Sequence, residues 1–273
     1  MRTFPICPTE IARSPARHAP LLKQLIKREI LGRYRGSVIG LFWAILNPLL
    51  LLAVYTFVFS VVFKARWGAS ETASHTDFAL NVFAGIIFFN LFAECFTRAP
   101  NLILHHANYV KKIVFPLEIL PWMAMGSALF HFLIGLVILT AGIAYMHGTM
   151  PVTLIYIPLL LAPFCALLLG MMWFLAALGV YIRDIGQIIG LATTILMFMS
   201  PIFYPITALP EPYRIFFLLN PMTFIIEQSR AILLLGGEPD WHGLMIYSAV
   251  SIAACWVGFA WFQKTRKGFA DVL

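Results

Sequence analysis

Charge is what this sequence has least of. Only 11% of its 273 residues are charged and 61% are hydrophobic, whereas a soluble domain carries about 25% charged residues. That balance excludes a disordered chain and a nucleic-acid module, and points to a membrane protein. Acidic residues are the scarcer sign, 12 against 19 Lys plus Arg, for a net charge of +7. In a membrane chain such an excess is expected in loops beside the anionic cytoplasmic leaflet, not on nucleic acid. Cysteine is sparse too. Cys7, Cys95, Cys165 and Cys255 fit no metal-ligand spacing, and Cys165 and Cys255 lie in apolar runs. They read as small buried hydrophobes, so a disulfide scaffold and a metal centre are both excluded.

Catalytic signatures are also missing. The chain has no Walker A pattern, no HExxH and no GxSxG elbow, so no nucleotide, metal or cofactor is expected on it. His105-His106 reads as an exposed polar turn. Glu94 and Arg98, four residues apart, are expected to pair, and Glu118 suits the positive end of the helix it opens. His131 is expected to be a hydrogen-bonded packing residue. No signal peptide is visible: Met1–Arg17 holds three arginines and no continuous apolar stretch. The first true span is therefore expected to direct insertion, with the N-terminus in the cytoplasm.

Apolar runs and aromatic rings are what the chain has in plenty, with 24 Phe, 9 Tyr and 7 Trp. The organisation expected is a cytoplasmic arm and amphipathic helix (1–36), a six-span domain (37–262) and a basic cytoplasmic tail (263–273). The proline-rich stretch 1–20 reads as an irregular arm. Leu21–Arg35 reads as a helix with Leu21, Leu22, Leu25, Ile26, Ile30 and Tyr34 on one arc. Glu29 and Arg33 intrude on that arc and are spaced to pair. Such a helix suits the membrane interface and equally a seat on the protein's own cytoplasmic face.

The spans expected are Ser37–Phe63 (with Pro48 kinking it), Phe78–Cys95, Leu117–Tyr145, Val152–Tyr181, Gln187–Phe203 and Gly243–Phe262. Trp67, after the first, reads as an interfacial anchor. Between the fifth and sixth lie Pro201, Pro205, Pro210, Pro212, Pro221 and Pro239, with apolar runs too short to cross. These read as re-entrant segments. The fold class is thus all-α and polytopic. Six spans place both ends on one side, and counting Lys plus Arg by side gives 15 against 4, which puts both termini in the cytoplasm.

The run Gly32-Arg33-Tyr34-Arg35-Gly36-Ser37-Val38-Ile39-Gly40-Leu41-Phe42-Trp43, continuing to Asn47-Pro48, resembles the start of the first span in type-2 ABC exporter permeases of cell-surface polysaccharides. So do Tyr181-Ile182-Arg183-Asp184-Ile185, Ser200-Pro201-Ile202-Phe203-Tyr204-Pro205, Leu209-Pro210 and Asn220-Pro221. The resemblance covers nearly all of residues 21–267 and is closest to the O-antigen branch, with teichoic-acid and capsule permeases as relatives. One departure is Ile39-Gly40, where the family usually has Leu-Gly.

The resemblance implies an inner-membrane homodimer that works with two separate ABC ATPase subunits. ATP and Mg belong to those subunits, and this chain is no enzyme. The implied substrate is a glycan on an undecaprenyl-diphosphate carrier. Residues 98–115 would be the ATPase-coupling segment, carrying Arg98, Asn101, His105, His106, Asn108, Tyr109, Lys111 and Lys112. The carrier diphosphate would meet Lys27, Arg33 and Arg35 near Gly36, Ser37 and Gly40, cations that suit anionic lipid equally well. The family-motif residues are Arg183, Asp184, Ser200, Pro201, Pro205, Asn220 and Pro221.

A sugar polymer slides past flat rings more readily than past fixed polar pockets. The candidate channel aromatics are Phe42, Trp43, Tyr55, Phe59, Phe83, Phe88, Phe89, Phe198, Phe203 and Tyr204. Lipid contact or packing competes for each of them. A small-lipid or drug exporter of the same fold and a glycolipid-processing membrane enzyme are the competing functions. The enzyme lacks paired carboxylates, since Glu94 and Glu118 stand on different spans.

Overall fold

The computed structural model describes residues 7–58, 75–111, 115–148 and 150–273. All regular structure among them is helical. The helices are α1 (Pro8–Arg17), α2 (Ala19–Arg33), α3 (Trp43–Tyr55), α4 (His75–Arg98), α5 (Ala107–Lys111), α6 (Ile119–His147), α7 (Ile157–Tyr181), α8 (Ile185–Phe198), α9 (Glu211–Leu218), α10 (Pro221–Leu233), α11 (Trp241–Thr265) and α12 (Phe269–Val272). Five helical stretches are long and apolar enough to cross a membrane: Gly40–Val58, Asp77–Asn101, Ile119–Met146, Val152–Tyr181 and Trp241–Val272.

Two expectations are corrected here and two are filled in. The segment before α2 is not irregular from Pro8 onward. Pro8 sits at the first helical position, where its missing N–H has no partner to lose, and α1 follows. The fifth expected span is helical for only 14 residues. At 1.5 Å per residue that is about 21 Å, short of a hydrocarbon core. Ser200-Pro201 ends it, because the residue before a proline is pushed out of the helical region. The basic tail is folded: α11 runs on to Thr265, and Phe269 of α12 is fully buried. Finally, α2 lies against α6, with Leu25 buried and Ile26 seated over Gly126, so the helix does pack on the subunit itself.

The core is built on α4, α6, α7, α10 and α11. Its most intimate pair is α7 with α11. A side chain on Gly258 would strike the Gly170 carbonyl, and one on Gly170 would lie 2.5 Å from the Ala254 carbonyl. Small residues thus let the two backbones touch, the usual way membrane helices gain contact when hydrophobicity alone gives none. Trp173 of α7 is fully buried, stacks edge-on against Phe259 and donates to the Glu118 carbonyl at 3.1 Å. By contrast α3 buries only Ala44.

Candidate functional site

Ion pairs and two cavities gather where α2 meets α4 and α6. Glu94, near the end of α4, is the hub. Its carboxylate accepts from Arg33 at 2.8 Å and from Arg98 at 3.3 Å, and faces His131 Nδ1 of α6 at 3.2 Å. Arg98 also donates to Glu29. The expected Glu94–Arg98 pair is therefore present, but the expected Glu29–Arg33 pair is not. Both α2 side chains reach instead to α4, because a partly buried partner outweighs an exposed i, i+4 pair worth a few tenths of a kcal/mol. His131 is hydrogen-bonded as expected. Its contact with Glu94 is not legible from spacing, since the two stand on different spans.

A carboxylate only accepts, so Nδ1 is the donor in the His131–Glu94 contact, and Nε2 shares a hydrogen bond with the Tyr34 hydroxyl at 2.9 Å. Burial pushes the Tyr34 hydroxyl above its ordinary pKa. Tyr34, His131 and Glu94 thus tie α2, α6 and α4 in one line.

Two cavities flank that line. The larger, about 620 Å³, lies between α3 and the α4/α6 pair. One end is polar, with Arg33, Tyr34, Asn47, Asn90, Glu94 and His131. Further along α3 and α4 the lining is apolar, with Leu50, Leu51, Val54, Phe83 and Ile87. The second, about 510 Å³, is bounded by Arg28, Glu29, Gly32, Arg33, Glu94, Thr97, Arg98 and Ser127 and so is rimmed by charged groups. The Arg33–Glu94 pair borders both. Such a pair of spaces suits an amphiphile: chain in the first, polar head at the junction.

The connection from α2 to α3 is shaped by Gly36 and Gly40, whose φ values of 86° and 59° favour glycine. Ser37 Oγ accepts from the Gly40 N–H at 3.3 Å and from Trp43 Nε1 at 3.1 Å. These three residues therefore set the backbone here. Lys27 and Arg35 are exposed near them, and Arg33 is already held by Glu94.

The segment expected to couple to an ATPase is two 3-10 turns, Ala99–Asn101 and Leu104–His106, followed by α5. His105 and Asn108 are exposed. His106 bonds the Leu102 carbonyl at 2.8 Å and stacks on Tyr109, whose hydroxyl accepts from Arg28 at 2.8 Å. Asn101 faces Gly186 at the start of α8. Lys112 and the side chain of Lys111 lie outside the described residues, as do Phe59 and Trp67.

Three of the ten candidate channel aromatics turn inward. Phe83, Phe88 and Phe89 are buried on α4, with Phe88 packed edge-on against Phe132 at 4.9 Å. Buried rings offer a polymer no sliding surface, so Phe88 and Phe89 are withdrawn from the lining. Phe83 reaches only the intra-subunit cavity. Phe42 and Phe198 are exposed, while Trp43, Tyr55, Phe203 and Tyr204 are half-buried, with Tyr55 beside Phe203 at 6.0 Å.

The motif residues divide. Arg183 and Asp184 are exposed in the short α7–α8 connection. Ser200, Pro201, Asn220 and Pro221 form a lock. Asn220 caps α10 by accepting the Met222 N–H at 2.9 Å, and its amide donates to Ser200 Oγ at 3.0 Å and the Met199 carbonyl at 3.1 Å. Pro221 sits at the first position of α10, and Pro205 precedes the turn Ile206–Ala208.

Sequence reasoning missed the residue that closes this lock. Arg230 of α10 is 4% exposed and donates to the carbonyls of Asn81 (3.0 Å), Pro201 (2.5 Å) and Ile202 (2.8 Å). An arginine at the edge of the apolar run Ala231–Leu235, three residues after Glu227, was the available signal. Also missed was the Glu118–Arg266 pair at 2.5 Å, which ties the start of α6 to the tail. Among the described residues no group of His, Cys, Asp or Glu is placed to hold a metal ion.

Known proteins resemble this chain along most of its length. It is 28% identical over 255 residues to the O-antigen export system permease protein RfbA of Myxococcus xanthus, spanning 92% of this chain and 94% of that one. It is 25% identical over 255 residues to the protein of the same name from Klebsiella pneumoniae, spanning 93% and 95%. Residues 20–234 match the model of the family described as ABC-2 type transporter. With that match running from α2 through α10, the chain belongs to the ABC-2 type transporter family.

Proposed function

We propose that this chain is the membrane subunit of an ATP-driven exporter that carries an undecaprenyl-diphosphate-linked, O-antigen-like polysaccharide across the bacterial cytoplasmic membrane. As an ABC-2 permease it is a transport component, not an enzyme. One observation carries the reading: the likeness to O-antigen export permeases spans 92% or more of both chains. The subunit works as a homodimer with two copies of a separate ABC ATPase, which holds ATP and Mg. Both termini face the cytoplasm, as the 15-to-4 distribution of Lys plus Arg favours, with α8 and the turns after it up to Pro205 together making the fifth of six crossings.

The physical features fit this reading residue by residue. The exposed tip His105–Asn108 contacts the ATPase. The exposed cations Lys27 and Arg35, with Arg28 on the rim of the second cavity, attract the carrier diphosphate. The apolar part of the larger groove takes part of the carrier chain. The outward sides of α3 and α8, bearing Phe42, Trp43 and Phe198, line the translocation path between two protomers. The proline-rich segment through α9 and α10 closes its outer mouth.

The test is a clean deletion, with surface glycan and cytoplasmic lipid-linked glycan assayed together. Loss of surface glycan with accumulation of lipid-linked polymer is the expected result, and the accumulated polymer identifies the cargo. Normal levels of both would overturn the polymer reading in favour of a small-lipid or drug exporter. Loss of both would point to a biosynthetic enzyme instead.

A further inference from the structure

We infer that the C-terminal segment 266–273 is a brace that positions the ATPase-coupling segment, with Arg266 as its key residue. The inference rests on the coupling role proposed above for residues 98–115. Arg266 opens a 3-10 turn at the end of α11. Its guanidinium spans two partners: the Glu118 carboxylate at 2.5 Å and the backbone carbonyl of Phe115 at 2.9 Å. Phe115 is the last residue of the coupling segment. Its ring stacks on Tyr109 of α5 at 4.4 Å and 18°, and Tyr109 is held by Arg28 of α2. One unbroken line of contacts therefore runs from α11 through Arg266, Phe115 and Tyr109 to α2.

The brace is anchored on its far side as well. Phe269 is fully buried against Phe262 (5.5 Å) and Tyr181 (6.1 Å), and the Tyr181 hydroxyl donates to the Thr265 carbonyl at 2.9 Å. Gly268 leaves room for that hydroxyl, and α12 packs on both α5 and α7. Ser14 of α1 donates to the same Glu118 carboxylate at 3.2 Å. The Arg266 and Glu118 side chains are only 11% and 14% exposed, so water competes weakly for their pairing.

The physical argument concerns leverage. α5 has five residues, too few to hold its shape alone. A push on its exposed tip reaches the spans only if both ends of the segment are fixed. Arg98 fixes the front end through Glu29 and Glu94. Arg266 fixes the rear end through Phe115 and passes the displacement to α6 and α11.

The experiment uses the whole exporter, permease with its ATPase, in proteoliposomes. Three quantities are read: ATPase bound per permease, ATP hydrolysis, and glycan exported per ATP. With Arg266→Gln, ATPase binding is expected to stay within about twofold of wild type. Export per ATP is expected to fall about fivefold or more, the scale of a lost coupling energy. Arg266→Lys, which keeps the charge, is expected to recover more than half of the loss. Phe269→Ala removes the anchor while leaving the ion pair, and is expected to lower export per ATP in the same way. It keeps the test decisive should Arg266→Gln fail to accumulate.

Export per ATP within twofold of wild type in Phe269→Ala, and in Arg266→Gln where it accumulates, overturns the brace alone, provided that substitutions at the tip (His105→Asp with Asn108→Asp) abolish ATPase binding. If the tip substitutions leave binding and export intact, the coupling reading falls and the brace falls with it.

Discussion

Two pairs of helices in this molecule are similarly apolar and packed in opposite ways. α7 and α11 meet backbone to backbone through Gly170, Ala254 and Gly258. α3 and α8 stand on the periphery with Ile45, Leu49, Leu191, Ile195 and Phe198 bare. Within the subunit, 78% of the apolar window in α4 is buried against 6% of that in the first span. Hydropathy therefore says that a helix belongs in the membrane, not whether its neighbour there is protein, lipid or a second subunit. What separates the two pairs is where the small residues stand: Gly170 and Gly258 meet a neighbouring backbone, whereas Gly190 of α8 faces open space.

The sharpest way to break that contrast is to put bulk where backbones touch. Gly258→Leu drives a side chain into the Gly170 carbonyl, and no rotamer avoids it because the clash begins at Cβ. A loss of about 3 kcal/mol or more of subunit stability is expected, the upper range for overpacking. It is measurable as collapse of the monodisperse peak in fluorescence-detected size exclusion on heating. Gly258→Ala should sit between it and wild type. The next largest effect belongs to Arg230→Gln, which withdraws the donors shared by the Asn81, Pro201 and Ile202 carbonyls and leaves them buried. A loss of about 3 kcal/mol is expected. Proteolytic cleavage should appear first between Pro201 and Pro210, the stretch this arginine pins.

How much of this was readable beforehand divides along the same line. Span lengths were legible because apolar runs have ends: Val152–Tyr181 was delimited from sequence as the structure has it. The proline-rich stretch was legible as non-spanning, since its apolar runs are too short. What escaped was pairing between distant positions. Glu118 looked like a charge suited to a helix start, yet its partner Arg266 lies 148 residues away. Phe88 looked like a channel ring, yet it faces Phe132. Helical period places a side chain on a face, but which face meets protein is decided by neighbours far along the chain. The Ser200 and Asn220-Pro221 motifs were recognised as strings. Their physical content, a cap on α10 tied to the end of α8, needed both segments in one place.

A smaller effect is expected at the polar junction that holds α2 to the body. Glu94→Gln keeps the shape but removes the charge that Arg33, Arg98 and His131 share. About 1.5 kcal/mol should be lost, the value of a hydrogen bond to a charged group, since Arg33 is half exposed and water takes up part of its demand. Tyr34→Phe removes the hydroxyl bonded to His131 and should cost about 1 kcal/mol. Hydrogen exchange along α2 is the readout. Both variants should raise it there while leaving α7 and α11 protected, because no tie of this cluster reaches that pair.

The smallest effect on the subunit is expected on the bare face, and there it is most informative. Leu191→Ala with Ile195→Ala truncates two exposed side chains on α8, so the melting of the isolated subunit should move by less than about 0.5 kcal/mol. If the face is covered by a second subunit, as the proposed homodimer requires, the same pair should weaken dimerisation by about 2 kcal/mol, because each subunit gives up buried leucine and isoleucine contacts. Analytical ultracentrifugation in detergent separates the two readouts. Unchanged dimerisation would mean that lipid, not protein, covers this part of α8. Phe198→Ala refines the point. A ring that lines the path should slow glycan export without changing dimerisation, whereas a ring at the subunit contact should change dimerisation first.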